Sequence, residues 1–311
     1  TVEQGHAIAA QIKEKIKKYE YIDIIYSYLK SFYFKYLISD EKLIRKKFRK
    51  RLGRELELDN PVKFNDKLQW LKLNWYDPIA TKCADKYEVR QIIEQKIGSK
   101  YLNELIAVYE SVDEIDIDKL PEKFVLKGTH GSGFNIICTD KTKMNWDKEF
   151  KKMRRWLRTK YYLQNREWVY KDIKPRIICE KFLVQNDSDE LKDYRFFCFD
   201  GEPKFIAVDF SITDKKKTRR NLYDLQLNLM DEEISYPKEL NVKVDKPAKL
   251  EEMIDISRKL SSSFPHARVD FYYIDNRIIF SEITFFHQSG MGKISPEEFE
   301  IEMGNWLELP K

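Results

Sequence analysis

The stretch Phe124–Asn135, FVLKGTHGSGFN, joins a strand-like apolar run to a lysine and then sets three glycines within six positions. Two structures satisfy it: a loop whose backbone N–H groups close over phosphate oxygens, or a tight turn between two strands. It is not the pattern G-x-x-x-x-G-K-[ST], because no Lys-Ser or Lys-Thr follows the last glycine. Nor is it the dinucleotide fingerprint, since the extended run NIICTDK follows where that motif requires a helix. The loop alone leaves both structures open.

Composition narrows the field. The chain has 311 residues, 42% hydrophobic and 35% charged, enough for one large domain or two smaller ones. Its 14% aromatic content is far above that of a disordered chain. The 57 basic and 52 acidic residues nearly cancel, to a net +5. A pI near 8.7 accommodates anionic ligands without demanding nucleic acid. No basic block stands beside stacking aromatics in a nucleic-acid module. No run reaches the ~18 apolar residues of a membrane span, and no signal peptide is visible at the start. Cys83, Cys138, Cys179 and Cys198 are widely spaced, without a CxxC pair or a nearby histidine cluster. They read as buried thiols of a reducing compartment, which predicts a cytoplasmic protein.

Around the glycine loop the chain reads as α+β. Residues 6 to 52 hold no glycine or proline and repeat apolar residues at helical spacing, with Lys and Arg on the other faces. They form a basic helical segment that is either solvated or rests on an anionic membrane surface or a partner. Helices are predicted from Asn65 to Tyr76, Pro78 to Ile97, 145 to 165 and 247 to 263. RIICEKFLV reads as a strand. DYRFFCFDGEPKFIAVDF reads as a hairpin turning at Asp200-Gly201, and ARVDFYYIDNRIIFSEITFF as another turning at Asp275-Asn276. KKKTRRNLYD, between them, reads as a charged loop.

The second hairpin carries a further signal. Glu282 and Thr284 share one face of their strand, and Asp270 falls across the turn near that face. Two carboxylates beside apolar strands repel unless a cation bridges them, and Mg²⁺ takes oxygen ligands. Arg268 adds a cation on the same face, as a phosphoryl-transfer site needs. In IICEKFL, a strand end could present main-chain groups to an adenine edge, with apolar side chains around the ring.

Taken in order, ADKYEVRQIIEQKIGSKYLNEL, FVLKGTHGSGFNIIC, EKFL, DYRFFCFDGEPKFI and RVDFYYIDNRIIFSEITFFHQSG resemble the TupA-like ATP-grasp family of cell-surface polysaccharide gene clusters. The resemblance covers about residues 60 to 300. It implies an ATP-grasp fold in which two α+β lobes clasp ATP. Residues 1–60 would be a helical N-terminal extension and 61–120 a helical segment before the fold. The small lobe with the glycine loop would span 121–185, and the large lobe with the metal and acceptor site 186–311.

The resemblance also implies roles. Lys86 and Lys127 are the phosphate-binding lysines, and the loop Gly128, Thr129, His130, Gly131, Ser132 and Gly133 covers the phosphates through its amides. Glu180, Lys181, Phe182 and Leu183 form the adenine hinge, chiefly through the main chain of Lys181 and Leu183. Asp193 is the ribose-binding acid, with Asp187 and Asp189 as rivals. Arg195, Arg268 and Lys127 surround the transferred phosphoryl group, and Asp270 and Glu282 hold Mg²⁺. The wider superfamily carries Asn two residues after that Glu; here Thr284 stands in its place. His287, Ser289, Gly290 and Lys293 would hold the acceptor, although His287 on its own reads equally as a polar surface residue.

The activity implied is ATP-dependent ligation of a carboxylate to an amine through an acyl phosphate. The partners implied are an amine or amino acid and a uronic-acid-containing glycan. A sugar kinase using the same nucleotide site, a glycosyltransferase and a non-catalytic scaffold are the rival classes. A glycosyltransferase leaves the loop at 128–133 unexplained, and a scaffold has no need to keep Lys86, Lys127, Asp270 and Glu282 together.

Overall fold

The computed structural model describes residues 22, 24–26, 28–29, 31–184, 191–210 and 217–310. The chain divides into two units, Thr1–Leu43 and Ile44–Lys311. In the first, a π-helical turn spans Tyr33–Leu37, and Tyr26, Tyr28, Leu29, Phe32 and Leu37 are exposed. The predicted helix from residue 6 lies outside the described residues as far as residue 21. No helix among the described residues is long and apolar enough to cross a membrane.

The second unit holds two sheets, both antiparallel throughout. The smaller has the order β1-β4-β2-β3, from Leu105–Tyr109, Ile177–Lys181, Phe124–Gly128 and Asn135–Cys138. The larger has the order β10-β9-β5-β6-β7, from Arg277–Thr284, His266–Ile274, Asp193–Phe199, Glu202–Phe210 and Arg219–Tyr223. A two-stranded ribbon pairs β8 (Glu233–Ile234) with β11 (Ile294–Ser295).

Helix α1 spans Asp40–Leu52, and from Ile44 onward it packs Ile44 and Phe48 against Leu56 and Met291. Helices α2 (Phe64–Asn74), α3 (Pro78–Ala84) and α4 (Val89–Lys96) follow. The predicted single helix from Pro78 to Ile97 is thus two. Pro78 starts α3 behind the Asp77 cap, which accepts from Ile79 N–H at 2.8 Å. The break comes where the Asp85 carboxylate accepts from the Tyr87 and Glu88 N–H groups, replacing helical partners with an Asx turn. Residues 145 to 165 likewise divide into α5 (Trp146–Arg158) and α6 (Tyr162–Asn165). Helices α7 (Leu250–Ser261) and α8 (Glu297–Trp306) follow later in the chain.

Each sheet has its own apolar core. In the small one, Phe124, Leu126, Ile136, Cys138, Ile177 and Cys179 meet Met153 and Trp156 of α5. β2 alternates buried and half-buried residues, so Lys127 points away from the helix-covered face. In the large one, β5, β6 and β9 supply fully buried Phe196, Phe197, Phe205 and Phe271. Burying each such ring contributes about 1.5–3 kcal/mol. All four cysteines are free and buried.

Both predicted hairpin turns are present. Asp200 and Gly201 have φ of 46° and 82°, and Asp275 and Asn276 have 48° and 58°. Positive φ at both central residues matches the twist of the flanking strands. Two further expectations fail. Leu105–Tyr109 is a strand of the small sheet, not part of a helical segment. Arg219–Tyr223, expected as a charged loop, is edge strand β7, because Arg220 is buried against Asp209 of β6.

Candidate active site

Lys86 lies in the turn between α3 and α4 and is tied to the glycine loop twice. Its N–H donates to Thr129 O at 3.4 Å and its Nζ to Gly131 O at 2.7 Å. Burial lowers its pKa. Gly131 has no room for a side chain: a Cβ there would lie 2.7 Å from the Tyr161 ring. Lys127 donates to Glu180 Oε2 at 2.7 Å. Burial opposes its charge, but Glu180 outweighs that and raises its pKa.

The carboxylates converge through a register shift. From the turn, Phe280 pairs with Phe271, but Glu282 pairs with Asp270, with a bulge between Phe280 and Glu282. An unbroken register would set Ser281 opposite Asp270 and send Glu282 to the other face. Arg268 makes a two-pronged contact with Asp270, Nε to Oδ1 at 2.7 Å and Nη2 to Oδ2 at 2.5 Å. The same Nη2 reaches Glu282 Oε1 at 2.9 Å and Thr284 Oγ1 at 3.1 Å. Burial pushes Asp270 up to about 7 despite Arg268. Burial also opposes the Glu282 charge, but Arg268, Lys86 and further cations prevail and hold it at about 2.

Two carboxylates and a hydroxyl meeting at one nitrogen form a donor set that suits a hard cation such as Mg²⁺. Among the described residues, no three His, Cys, Asp or Glu side chains are grouped to hold a metal. Phosphate oxygens and water would therefore complete the ligand shell, as is usual for Mg²⁺.

A second arginine layer lies behind the first. Arg195 donates to Asp193 Oδ2 at 2.7 Å and pairs with Asp209 at 3.2 Å. Arg220 makes a two-pronged bond to Asp209 at 2.6 and 2.7 Å. His287 is buried, not a surface residue, because its ring fills the space between Arg268, 2.6 Å from Nδ1, and Arg220, 3.2 Å from Nε2. Burial and then the flanking arginines drive its pKa well down. After it, Gln288, Ser289 and Gly290 all take positive φ, at 46°, 57° and 60°. Gln69 of α2 fixes this bend by donating to the carbonyls of Ser289 and Gly290 at 2.8 and 2.6 Å.

These elements surround a cavity of about 360 Å³. Of the predicted residues, Lys86, Lys127, Ser132, Gly133, Asp193, Arg195, Arg268, Glu282, Thr284, His287 and Ser289 line it. Asp193 Oδ1 is buried without a partner, an acceptor that suits a ligand hydroxyl.

Other predicted residues sit behind the wall. The amides of Gly128 and Thr129 are committed to Phe134 O and Arg176 O, at 2.9 and 3.0 Å, so they are not free for phosphate. His130 is buried, with Nε2 2.7 Å from Trp156 O. Gly290 is buried beneath Gln69. Lys181 N–H already donates to Glu104 O at 3.0 Å, which removes that donor from the expected hinge. Phe182 and Leu183 follow the end of β4, and Glu180 binds Lys127 and Arg90 through its side chain. Asp270 is fully buried behind Arg268, and Lys293 is exposed beside β11, outside the lining. Asp187 and Asp189 lie outside the described residues.

Sequence reasoning missed Glu167, Asp209, Arg220 and Tyr272, which also line the cavity. Asp209 was hidden by a register irregularity: a regular hairpin turning at 200–201 sets Val208 opposite Asp193, and the shift between Phe197 and Cys198 brings Asp209 there instead.

A profile of the family described as TupA-like ATPgrasp matches residues 66–308. The chain belongs to the TupA-like ATP-grasp family. Membership carries the ATP-grasp fold, and the two sheets of this TupA-like chain, each with its own core, are its α+β lobes. Among solved structures it is similar to a D-alanine–D-alanine ligase from Bacillus anthracis complexed with ATP, at 16% identity and TM-score 0.39, covering 71% of this chain and 57% of that one. A D-alanine–D-alanine ligase from Helicobacter pylori gives 14% identity and TM-score 0.42, covering 80% and 68%. The ATP-grasp ligase PsnB, complexed with a precursor variant, Mg and ADP, gives 8% and 0.42, covering 78% and 66%. The chain thus spans less than two thirds of the length of the Bacillus anthracis ligase. A comparison with curated proteins finds no match.

Proposed function

We propose that this protein is an ATP-dependent carboxylate–amine ligase that acts through an acyl phosphate. One observation carries the reading. Two lysines, three arginines, Glu282 and Thr284 line a single cavity in a chain of the ATP-grasp family. Carboxylate is a poor electrophile, and phosphorylation turns it into a good one.

In this reading Lys86 and Lys127 hold phosphate oxygens, with the amides of residues 130–133 beside them. Arg195 and Arg268 offset charge on the phosphoryl group as it moves. Asp270, Glu282 and Thr284 hold Mg²⁺, for which Arg268 yields its Nη2 contacts. Bound Mg²⁺ supplies Lewis-acid polarisation of the phosphoryl oxygens. Asp193 accepts from a ribose hydroxyl, and His287 orients Arg268. The acceptor is a uronic acid of a surface polysaccharide, a reading supported by the family resemblance. The exposed aromatics of residues 26–37 support peripheral contact with an anionic membrane surface.

Hydroxylamine traps acyl phosphates as hydroxamates. With ATP, Mg²⁺ and glucuronate or galacturonate, the protein should form hydroxamate and one ADP per product. A phosphorylated sugar with no hydroxamate would replace the ligase with a kinase.

A further inference from the structure

Glu167 lies between α6 and the turn Trp168–Tyr170 and is 5% exposed, yet it lines the cavity together with Ser289. Its Oε1 accepts from the Ser289 hydroxyl, which in turn accepts from Asn165 Nδ2 at 2.9 Å. Among the described residues no Lys, Arg or His nitrogen comes within 4.0 Å of its carboxylate. The adjacent buried cation, Lys72, is turned elsewhere: its Nζ donates to the carbonyls of Asn165 and Ser289 at 3.0 and 2.7 Å. Every other buried carboxylate of the cavity has a guanidinium or ammonium partner within that distance.

Burial raises the Glu167 pKa and outweighs Lys72 and Lys47, which favour its charge without bonding it. A carboxylate whose bonded donor is a hydroxyl thus gains from a ligand that brings positive charge into contact. The strained bend at Ser289 is clamped by Gln69 and Lys72, so its hydroxyl is held on Glu167 with little freedom. The cavity therefore sorts charge. Arginines and lysines make up one set of its lining groups, and Glu167, bonded by a hydroxyl and not by a cation, is another. A carboxylate substrate and triphosphate suit the first; a cation suits the second.

We propose that Glu167, with Ser289, is the binding site for the ammonium group of the amine substrate and the acceptor of its proton. This rests on the ligase reading. One ammonium proton passes to the Glu167 carboxylate, and the freed nitrogen lone pair forms the C–N bond at the acyl phosphate carbon. The C–O bond to phosphate breaks, phosphate leaves with that electron pair, and a second nitrogen proton goes to the departing phosphate. The products are amide, hydrogen phosphate and a protonated Glu167.

The probe is methylammonium chloride, soaked into crystals of the full chain. Its nitrogen is expected within hydrogen-bond distance of Glu167 and Ser289, with at least tenfold weaker binding in Glu167→Gln, a near-isosteric change. No methylammonium at Glu167, or equal binding in the variant, would overturn the site. Hydroxylamine is uncharged at neutral pH and needs neither an ammonium site nor a base, so Glu167→Gln should lower hydroxamate formation far less than amide formation with methylamine. Loss of hydroxamate together with methylammonium would make Glu167 structural; Glu167→Asp, which keeps the charge, should then restore neither. Methylammonium bound in a protein that makes no hydroxamate would keep the site and remove the reaction, whereas hydroxamate without bound methylammonium would do the reverse.

Discussion

Lys127 on β2 donates to Glu180 on β4 at 2.7 Å, a diagonal contact, since Glu180 stands opposite Val125 and Lys127 opposite Ile178. Arg90 binds the other carboxylate oxygen of Glu180 at 3.3 Å. The glutamate expected to read adenine is therefore the anchor that keeps the loop lysine charged and aimed at the cavity. The small sheet thereby presents a fixed cation to the large one.

Lys127→Ala should weaken ATP binding at least tenfold by calorimetry, about 1.4 kcal/mol. Glu180→Gln should weaken it less, because the lysine stays in place while its anchor loses charge. Unchanged affinity in Lys127→Ala would remove the glycine loop from the site.

The two acids of the bulged hairpin should respond differently. Glu282 is partly exposed and shares Arg268 with Asp270, so Glu282→Gln should cut turnover at least a hundredfold with little change in melting temperature. Asp270 is fully buried and takes both prongs of Arg268. Asp270→Asn should lose turnover and also about 3–5 kcal/mol of stability, as when one partner of a buried ion pair is removed. Wild-type rates in Glu282→Gln would rule out the metal assignment.

His266 should make the fold lose stability as acid is added. His266 is buried among Phe64, Phe197 and Phe199 and is held neutral, its pKa pushed by burial from 6.5 to about 3. The unfolded chain binds a proton there below pH 6.5 and the folded chain does not, so stability falls as pH falls from 6.5 towards 3. The full effect is about 5 kcal/mol, near 1.4 kcal/mol per pH unit. His287 acts in the same direction, whereas Glu282, held low, adds its loss only below about pH 4.5. Asp270, raised by burial to about 7, acts the other way between about pH 7 and 3.8, so the test is a difference. From pH 7.5 to 5 the urea midpoint of His266→Gln, which can still donate to Cys198 O, should fall less than that of the unaltered chain, or rise more.

Gly131→Ala should displace Tyr161 and Phe134 or the loop, because the added Cβ meets the two rings at 2.7 and 2.9 Å. A cost of about 1–3 kcal/mol is expected for such overpacking, with weaker ATP binding. Thermal unfolding and calorimetry with ATP read the two losses, and an unchanged melting temperature would show that the loop has room to move.

Much of this was legible in the chain, and for local reasons. Asp200-Gly201 and Asp275-Asn276 announce hairpins because few residues tolerate positive φ at two successive positions. Asp270 and Glu282 could be brought together, but the bulge that aligns them leaves no mark in the alternation of RIIFSEIT. The strand at 219–223 was hidden because its charge looks solvent-facing, and only Asp209, supplied by a neighbouring strand, makes it possible to bury Arg220. LIAVY was readable as a strand and was absorbed into a helical segment. Glu167 carries no periodic signal at all; its meaning lies in which cations fail to reach it.

The most direct measurement is a crystal structure of the full chain with a non-hydrolysable ATP analogue and Mg²⁺. The account predicts the triphosphate between Lys127 and Glu282, Mg²⁺ on Asp270 and Glu282, and Arg268 turned from those carboxylates towards the γ-phosphate. A nucleotide bound elsewhere, with Lys127 still on Glu180 and Arg268 still closed over both acids, would contradict it.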